Sequence, residues 1–178
     1  EDGIRDVERS RGLGDVYKRQ YLGDASGTKV IYEFVDYNCG YCEKYHQELI
    51  NVMKEDTSVK IVIIQMPILG NFSKDLTTIA LASSLQGKFK TDHNYLYSSE
   101  RKSNMEDILA DLFLKGVDLQ ILKKDMDSQE VKDFLSIHKS YVDEFKFTGS
   151  PATIIGNQII PGFIDQSKII EILEKEFS

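Results

Sequence analysis

Two cysteines at the junction of a predicted strand and a predicted helix constrain this chain more than any other feature. Residues 29–35, KVIYEFV, are a β-branched and aromatic run that is typical of a buried strand. Cys39 follows after a three-residue break, and from there apolar residues recur at helical spacing to about residue 55. Residues 59–66, VKIVIIQM, are predicted to form a second buried strand. This order of strand, Cys39-Gly40-Tyr41-Cys42, helix and strand predicts an α/β fold.

The middle of the chain has a different periodicity. From about residue 73 to residue 147, apolar residues recur at helical spacing and proline is absent, so we predict three to five helices and no strand. Residues 152–155 and 158–160 predict a hairpin across Gly156-Asn157, a pair that suits a type II′ turn, and a last amphipathic helix follows. The predicted fold class is α/β, with a mixed central sheet flanked by helices and an inserted all-helical subdomain.

The predicted domain boundaries follow from this change of pattern. We expect residues 28–70 and 148–178 to form the domain that contains the sheet, and residues 71–147 to form the inserted helical subdomain. Residues 1–27 are predicted to be an N-terminal tail outside the fold, ending in a loop that includes Gly23. Its first twenty residues lack the apolar segment of a secretory signal.

Composition excludes several classes of function. The formal net charge is −7 and the basic residues are scattered, which argues against nucleic acid as a partner. No apolar run approaches the roughly 20 residues that are needed to cross a bilayer. The chain has only two cysteines, and a disulfide between positions 39 and 42 would close a loop too short to stabilise a fold. The pair must therefore be judged by its chemistry.

Cys39 and Cys42 suit either half of a zinc site or a redox pair. Zinc would need two further ligands, and the three histidines, His46, His93 and His138, are too scattered to supply a second pair. A redox pair is favoured, because a helix N-terminus offers free N–H groups and a partial positive charge that would stabilise a thiolate at Cys39. Cys42, one turn further along, would remain a thiol. We therefore predict that Cys39 attacks and that Cys42 resolves.

Three polar residues near the pair have more than one interpretation. Glu33 lies within the first predicted strand, where it either faces water at a strand edge or serves as a buried proton relay that helps to deprotonate Cys42. Asp36 follows the strand, and its position in a turn predicts a solvated side chain. His46 lies four residues after Cys42 and could touch the site, although a solvated helix face is the favoured prediction. The other two histidines are predicted to be ordinary helical residues.

Two stretches of the chain resemble a known family. Residues 30–49, VIYEFVDYNCGYCEKYHQEL, resemble the active-site strand and helix of bacterial DsbA-like thiol–disulfide oxidoreductases of the thioredoxin superfamily. Residues 148–173, TGSPATIIGNQIIPGFIDQSKIIEIL, resemble the cis-proline loop, hairpin and last helix of that family. The resemblance implies a thioredoxin fold with an inserted helical subdomain.

The resemblance also implies roles for individual residues. Cys39 matches the family's nucleophile and Cys42 its resolving thiol. Gly40 and Tyr41 match the dipeptide that tunes the reduction potential, and Glu33 matches the buried acidic residue of the first strand.

Ser150 and Pro151 match the cis-proline pair that contacts a bound peptide. The local sequence alone favours a trans bond before Pro151, because only about 5–6% of such bonds are cis in folded proteins. The resemblance reverses that preference and favours cis.

The dipeptide between the cysteines departs from the best-known oxidases of the family, which carry Pro-His. Gly40-Tyr41 lacks the histidine that stabilises the thiolate in those proteins, so we expect a less oxidising pair. Gly-Tyr also occurs in DsbC-type isomerases, which have a substantial N-terminal dimerisation domain. Both stretches look most similar to the copper-resistance-associated and alphaproteobacterial branch, some members of which oligomerise through an N-terminal extension.

The sequence thus predicts a protein disulfide oxidoreductase that acts on exported proteins in the periplasm, with a dithiol oxidase as the first hypothesis. An isomerase or reductase would use the same residues. Alternatives from another class are a periplasmic Cu(I) carrier that uses the two thiolates and an adaptor that binds peptides along the edge at Pro151. No cofactor or metal is required, because the cysteines themselves carry two electrons. The implied partners are exported proteins with thiols or disulfides and a membrane redox protein that recycles the pair.

Overall fold

A five-stranded mixed sheet forms the centre of the fold. The computed structural model describes residues 19–98 and 100–178. Within these ranges the strands are β1 (Tyr21–Gly23), β2 (Lys29–Val35), β3 (Val59–Gln65), β4 (Ala152–Ile155) and β5 (Gln158–Pro161). Their order in the sheet is β1-β3-β2-β4-β5. β2 and β3 are parallel, and the other neighbouring strands are antiparallel.

Seven helices accompany the sheet in the described ranges, and they confirm the predicted mixed sheet flanked by helices. Helix α1 (Gly40–Glu55) connects β2 to β3, and α7 (Gln166–Glu176) follows β5. Five helices lie between β3 and β4: α2 (Asn71–Leu85), α3 (Phe89–Leu96), α4 (Met105–Leu114), α5 (Leu119–Met126) and α6 (Gln129–Glu144). None of the helices in residues 19–98 and 100–178 is long and apolar enough to cross a membrane.

The alternation of side chains along β2 separates the two faces of the sheet. Glu33 points to the face that α1 covers, since its Oε2 lies 3.7 Å from Nδ1 of His46 on that helix. Phe34 points to the opposite face, where its ring lies 6.3 Å from that of Phe145 and 4.6 Å from that of Phe147, measured between centroids. Both faces of the central strand are therefore covered, and Glu33 lies in the interior.

Helix α1 is held to the sheet by one apolar face. Its buried residues follow helical spacing: Cys42, Tyr45, His46, Leu49 and Val52. The helix ends at the cap residue Asp56, whose backbone N–H donates to the Val52 carbonyl. This packing fixes the N-terminus of α1, and with it the two cysteines, at the carboxyl end of β2.

The N-terminal edge of the sheet differs from the prediction. Residues 1–27 were predicted to be a tail ending in a loop at Gly23. Residues 1–18 lie outside the described residues, but Tyr21–Gly23 form β1 and pair antiparallel with residues 60–62 of β3. A strand of three residues has too few positions to show an alternating pattern, so its pairing partner identifies it and its sequence does not.

The turn between β4 and β5 depends on a glycine. Gly156 has a φ of 56°, in the left-handed region, and a Cβ at this position would lie 2.5 Å from Oε2 of Glu176. Asn157 does not have a positive φ, which fits the predicted type II′ turn.

We expect Gly156→Ala to lower the free energy of unfolding by about 1–2 kcal/mol, because an L-residue in the left-handed region is strained by that amount. The measurement is equilibrium unfolding in urea. Gly149→Ala is the matched control, since Gly149 does not have a positive φ and a Cβ there meets no atom within 4 Å. The explanation is wrong if the two variants unfold at the same urea concentration.

Candidate active site

Cys39 occupies the N-cap position of α1. Its backbone is extended, with φ −97° and ψ 112°, and its Sγ accepts a hydrogen bond from the backbone N–H of Cys42 at 3.4 Å. The sulfur thus takes the place of the side-chain oxygen that commonly caps a helix. Cys39 is half-buried and is present as a free thiol. Its sulfur therefore lies at the surface, against the positive end of the helix dipole.

Cys42 lies one turn further along α1 and is fully buried. Burial raises the pKa of its thiol well above the ordinary value, and hydrogen bonds with Ser150 and Asp36 offset only part of this effect. Cys42 is also a free thiol. The two sulfurs thus differ in exposure and in the stability of their charged forms.

The Ser150-Pro151 loop lies against Cys39, although the two segments are far apart in the sequence. The Cys39 thiol donates to the Ser150 carbonyl at 3.5 Å, and the Ser150–Pro151 peptide bond is cis. The carbonyl of Pro151 accepts a hydrogen bond from the backbone N–H of Gly162 at 2.9 Å. The structure therefore brings together the two cysteines and the proline loop at one end of the sheet.

Gly40 and Tyr41 face away from the core. A Cβ added at Gly40 would meet no atom within 4 Å. The side chain of Tyr41 is 66% exposed, and the Lys44 ammonium lies 5.5 Å from the centre of its ring. The dipeptide therefore presents an aromatic ring to the outside beside the Cys39 sulfur.

Glu33 is completely buried, as the resemblance implied, and the alternative of a water-facing residue at a strand edge is wrong. The reason is topological: β2 is the central strand, and Glu33 pairs with Ile63 on one side and Thr153 on the other. Among the described residues, neither carboxylate oxygen of Glu33 has a hydrogen-bond partner. Nδ1 of His46 lies 3.7 Å from Oε2, beyond the usual limit of about 3.2 Å for a hydrogen bond.

Asp36 is also fully buried, and its predicted solvated role is wrong. Its Oδ2 accepts the backbone N–H groups of Ile68 at 2.8 Å and Leu69 at 2.9 Å, and its Oδ1 accepts that of Asn38 at 2.8 Å. The turn after a central strand lies beneath the loop that follows the neighbouring strand, so the carboxylate joins the two loops. Asp36 thereby holds the segment that leads into Cys39.

His46 is 7% exposed, and its predicted position on a solvated helix face is wrong. Its ring stacks on Tyr97, which follows α3, with centroids 5.1 Å apart and an interplanar angle of 27°. The inserted helices cover this side of α1, which the local pattern did not predict. The positions of Cys42, His46 and Leu49, at i, i+4 and i+7, already had the spacing of a buried face.

The other histidines are buried as well, and His93 belongs to a hydrogen-bonded chain. Its Nδ1 lies 2.7 Å from the Tyr37 hydroxyl, and its Nε2 lies 3.4 Å from Nδ1 of His46. The Tyr37 hydroxyl also accepts from Nε2 of Gln65 at 3.1 Å, and Oε1 of Gln65 accepts from the Thr77 hydroxyl at 3.4 Å. Burial, with His46 as a smaller cause, lowers the pKa of His93 well below its usual range. The third histidine, on α6, accepts the backbone N–H of Gln65 at 2.9 Å.

Comparison with known proteins agrees with this geometry. The thioredoxin family model matches residues 16–175. A curated relative from Bacillus cereus, named probable disulfide bond formation protein D, is 26% identical over 167 residues, which cover 86% of this chain and 77% of the relative.

Solved structures share the fold. A thioredoxin-like oxidoreductase from Silicibacter pomeroyi superimposes with a TM-score of 0.83 and 28% identity, covering 90% of this chain and 95% of that one. The thiol-disulfide exchange protein α-DsbA2 from Wolbachia pipientis superimposes with a TM-score of 0.80 and 21% identity, covering 98% and 96%. The predicted thioredoxin fold is confirmed.

The difference in exposure between the two sulfurs predicts selective alkylation. In the folded, reduced protein we expect iodoacetamide to modify Cys39 and to leave Cys42 unmodified, because Cys42 is buried and its thiol resists ionisation. Peptide mass spectrometry measures the modification at each site. In denaturant both cysteines should react. Equal rates for the two cysteines in the folded protein would contradict the assignment.

Proposed function

We propose that this chain, which belongs to the thioredoxin family and is a DsbA-like protein disulfide oxidoreductase, oxidises pairs of thiols in exported proteins. The observation that carries the proposal is the asymmetry of the two sulfurs. Cys39 is accessible at a helix N-terminus, and Cys42 is buried behind it. A substrate can therefore reach only one of them.

The exchange begins from the Cys39–Cys42 disulfide. A substrate thiolate attacks Sγ of Cys39, the bond to Cys42 breaks, and Cys42 leaves as a thiolate that takes up a proton. The second substrate thiolate then attacks the substrate sulfur of the mixed disulfide, and Cys39 leaves as a thiolate. Two electrons pass from the substrate to the pair. A membrane redox protein is the proposed partner that removes them, and the periplasm is the proposed location, because disulfides persist there.

Glu33 is the proposed partner of Cys42 in its proton exchange. It is a carboxylate in the interior beneath α1, and a buried carboxylate without hydrogen bonds is costly unless it can bind a proton. Cys42 is equally buried and must gain a proton when it leaves and lose one when it attacks. A buried acid in this position can accept and return that proton.

The proposed substrate surface surrounds Cys39. The backbone of the Ser150-Pro151 loop, which lies beside the Cys39 sulfur, is the proposed contact for an extended peptide, in the way that exposed strand edges bind peptides. Large apolar side chains are exposed on the first turn of α1 and on the loops at this end of the sheet: Tyr41, Ile68, Leu69 and Phe163. A surface of this kind suits apolar segments of an unfolded chain.

An isomerase or reductase is the second candidate, and one observation favours it. The exposed ring of Tyr41 lies where the best-known oxidases carry a histidine that stabilises the thiolate. A less stable thiolate makes the disulfide less oxidising, by about 30 mV for each 1.4 kcal/mol.

Trapping of a mixed disulfide distinguishes the nucleophilic cysteine from the resolving cysteine. We expect Cys42→Ala to accumulate a mixed disulfide at Cys39 when it is mixed with a peptide that contains a disulfide, because no second thiol can release the peptide. Mass spectrometry under acid quench detects the adduct. Cys39→Ala is the matched variant and should form none. Adducts on Cys42 in that variant would reverse the proposed roles.

The reduction potential separates oxidase from isomerase or reductase. A value near −120 mV supports the oxidase, and values near −180 mV or lower support the second candidate. We expect Gly40→Pro combined with Tyr41→His to raise the potential by about 30–60 mV, because a charged hydrogen bond to the thiolate contributes about 1.5–3 kcal/mol.

The structure admits this double change. Gly40 is the first residue of α1, a position that suits proline, and the space around it is open. Equilibration in glutathione buffers gives the potentials, with Gly40→Ala as the control for the loss of glycine. An unchanged potential in the double variant would show that the dipeptide does not tune the pair.

A further inference from the structure

A buried histidine connects Glu33 to a surface groove. Nδ1 of His46 lies 3.7 Å from Oε2 of Glu33. His46 is 7% exposed, whereas Glu33 is fully buried. His46 also lines a groove of about 550 Å³ between α1 and α3. The other residues that line the groove are Glu43, Lys44, Gln47, Ile50, Asn94, Tyr97 and Ser98. His46 thus contacts both the interior beside Glu33 and the outside.

The proposed exchange creates a need for such a connection. Cys42 and Glu33 are both fully buried, yet Cys42 gains or loses a proton in every cycle. The two groups lie between α1 and the sheet: Cys42 and His46 are both on the buried face of that helix, and Oε2 of Glu33 lies 3.7 Å from Nδ1 of His46. A proton that reaches Glu33 from Cys42 must therefore have a route to water.

The hydrogen bonds behind His46 favour one tautomer of its ring. The Tyr37 hydroxyl accepts from Gln65 and lies 2.7 Å from Nδ1 of His93, so we assign the hydroxyl proton to the hydrogen bond with that nitrogen. Neutral His93 then carries its proton on Nε2, which faces Nδ1 of His46 at 3.4 Å. In neutral His46 the acceptor nitrogen is consequently Nδ1, on the side of Glu33, and the proton is on Nε2.

We propose that His46 is a proton-relay residue, which carries protons between Glu33 and water in the groove during disulfide exchange at Cys42. The inference rests on the proposed function. When the Cys42 thiol attacks Cys39 in the mixed disulfide, its proton passes to the Glu33 carboxylate and then to Nδ1 of His46, and Nε2 of His46 releases a proton to water. When Cys42 leaves as a thiolate, each transfer runs in reverse. When Nδ1 of His46 takes the proton from Glu33, it gives up its long contact of 3.4 Å with Nε2 of His93.

The test follows the reaction of the reduced protein with glutathione disulfide. Cys39 first forms a mixed disulfide with glutathione, and Cys42 then displaces glutathione in a step that does not depend on its concentration. The chain has no tryptophan, so acid quench and mass spectrometry resolve the two steps. We expect His46→Gln, which stays polar but cannot carry a proton, to slow the second step at least about tenfold and to leave the first unchanged, because a positioned proton carrier contributes roughly 10²- to 10⁴-fold.

Three comparisons distinguish a relay from a structural role. Gln47→Ala, the next residue on the same groove, should leave both steps unchanged. Free imidazole should restore part of the rate of His46→Gln. In a Glu33→Gln background, His46→Gln should slow the second step by less than about twofold, because the two residues act in one path. An equal loss in both backgrounds, or a second step in His46→Gln within about twofold of the natural protein, overturns the proposal.

A measurement on the unaltered protein decides the matter even if His46→Gln fails to fold. Ring-nitrogen chemical shifts from NMR should show that in the dithiol state Nδ1 of His46 carries no proton and Nε2 carries one. A proton on Nδ1 in that state would overturn the relay, because Nδ1 could not then accept a proton from Glu33. Failure of the unaltered protein to form any mixed disulfide at Cys39 would instead overturn the proposed function.

Discussion

The central position of β2 is the constraint on which the active site depends. β2 pairs in parallel with β3 and antiparallel with β4, so its backbone is hydrogen-bonded on both sides. This pairing fixes the position of its carboxyl end, from which the chain continues towards Cys39. There Asp36 binds the backbone of the loop after β3, and Cys39 caps the start of α1 within hydrogen-bonding distance of the Ser150 carbonyl. Three segments far apart in sequence meet because β2 and β3 end, and the antiparallel strand β4 begins, at the same end of one sheet.

The same central position makes the burial of the Glu33 carboxylate costly in free energy. A carboxylate on an edge strand would be hydrated, whereas Glu33 is enclosed by α1 and by strands on both sides. Its burial is compensated only when a proton or a cation is close, and His46 is the residue at 3.7 Å that can provide either. A fold selected for stability alone would place an apolar residue here, and the proposed proton exchange with Cys42 would account for the cost of Glu33.

The local sequence pattern predicted strands β2 to β5 of the sheet, but it did not predict that Asp36 and His46 are buried. Strands β2 and β4 have the predicted bounds, because β2 is a run of β-branched and aromatic residues, β4 is mostly β-branched, and both have clear breakers at their ends. Asp36 and His46 were predicted to be solvated, because a turn and a helix of mixed polarity normally face water. What buries them is distant in sequence: Asp36 lies under a loop 32 residues away, and His46 contacts His93, 47 residues away. The contacts of Asp36 leave no local periodicity, whereas the burial of His46 was indicated only by its spacing from Cys42 and Leu49.

In the proposed mechanism, the dipeptide between the cysteines affects the reduction potential, whereas the buried pair Glu33 and His46 affects the rate at which Cys42 reacts. Gly40 and Tyr41 lie outside, beside Cys39, where a change alters the stability of its thiolate and therefore the reduction potential. Glu33 and His46 lie on the inner side, towards Cys42. His46 ends each cycle in the protonation state in which it began, so it changes how fast Cys42 reacts without changing the equilibrium between dithiol and disulfide. Because Gly40 and Tyr41 are exposed whereas Glu33 and His46 are buried, we expect that the direction of electron flow can change through the dipeptide while the proton route stays intact.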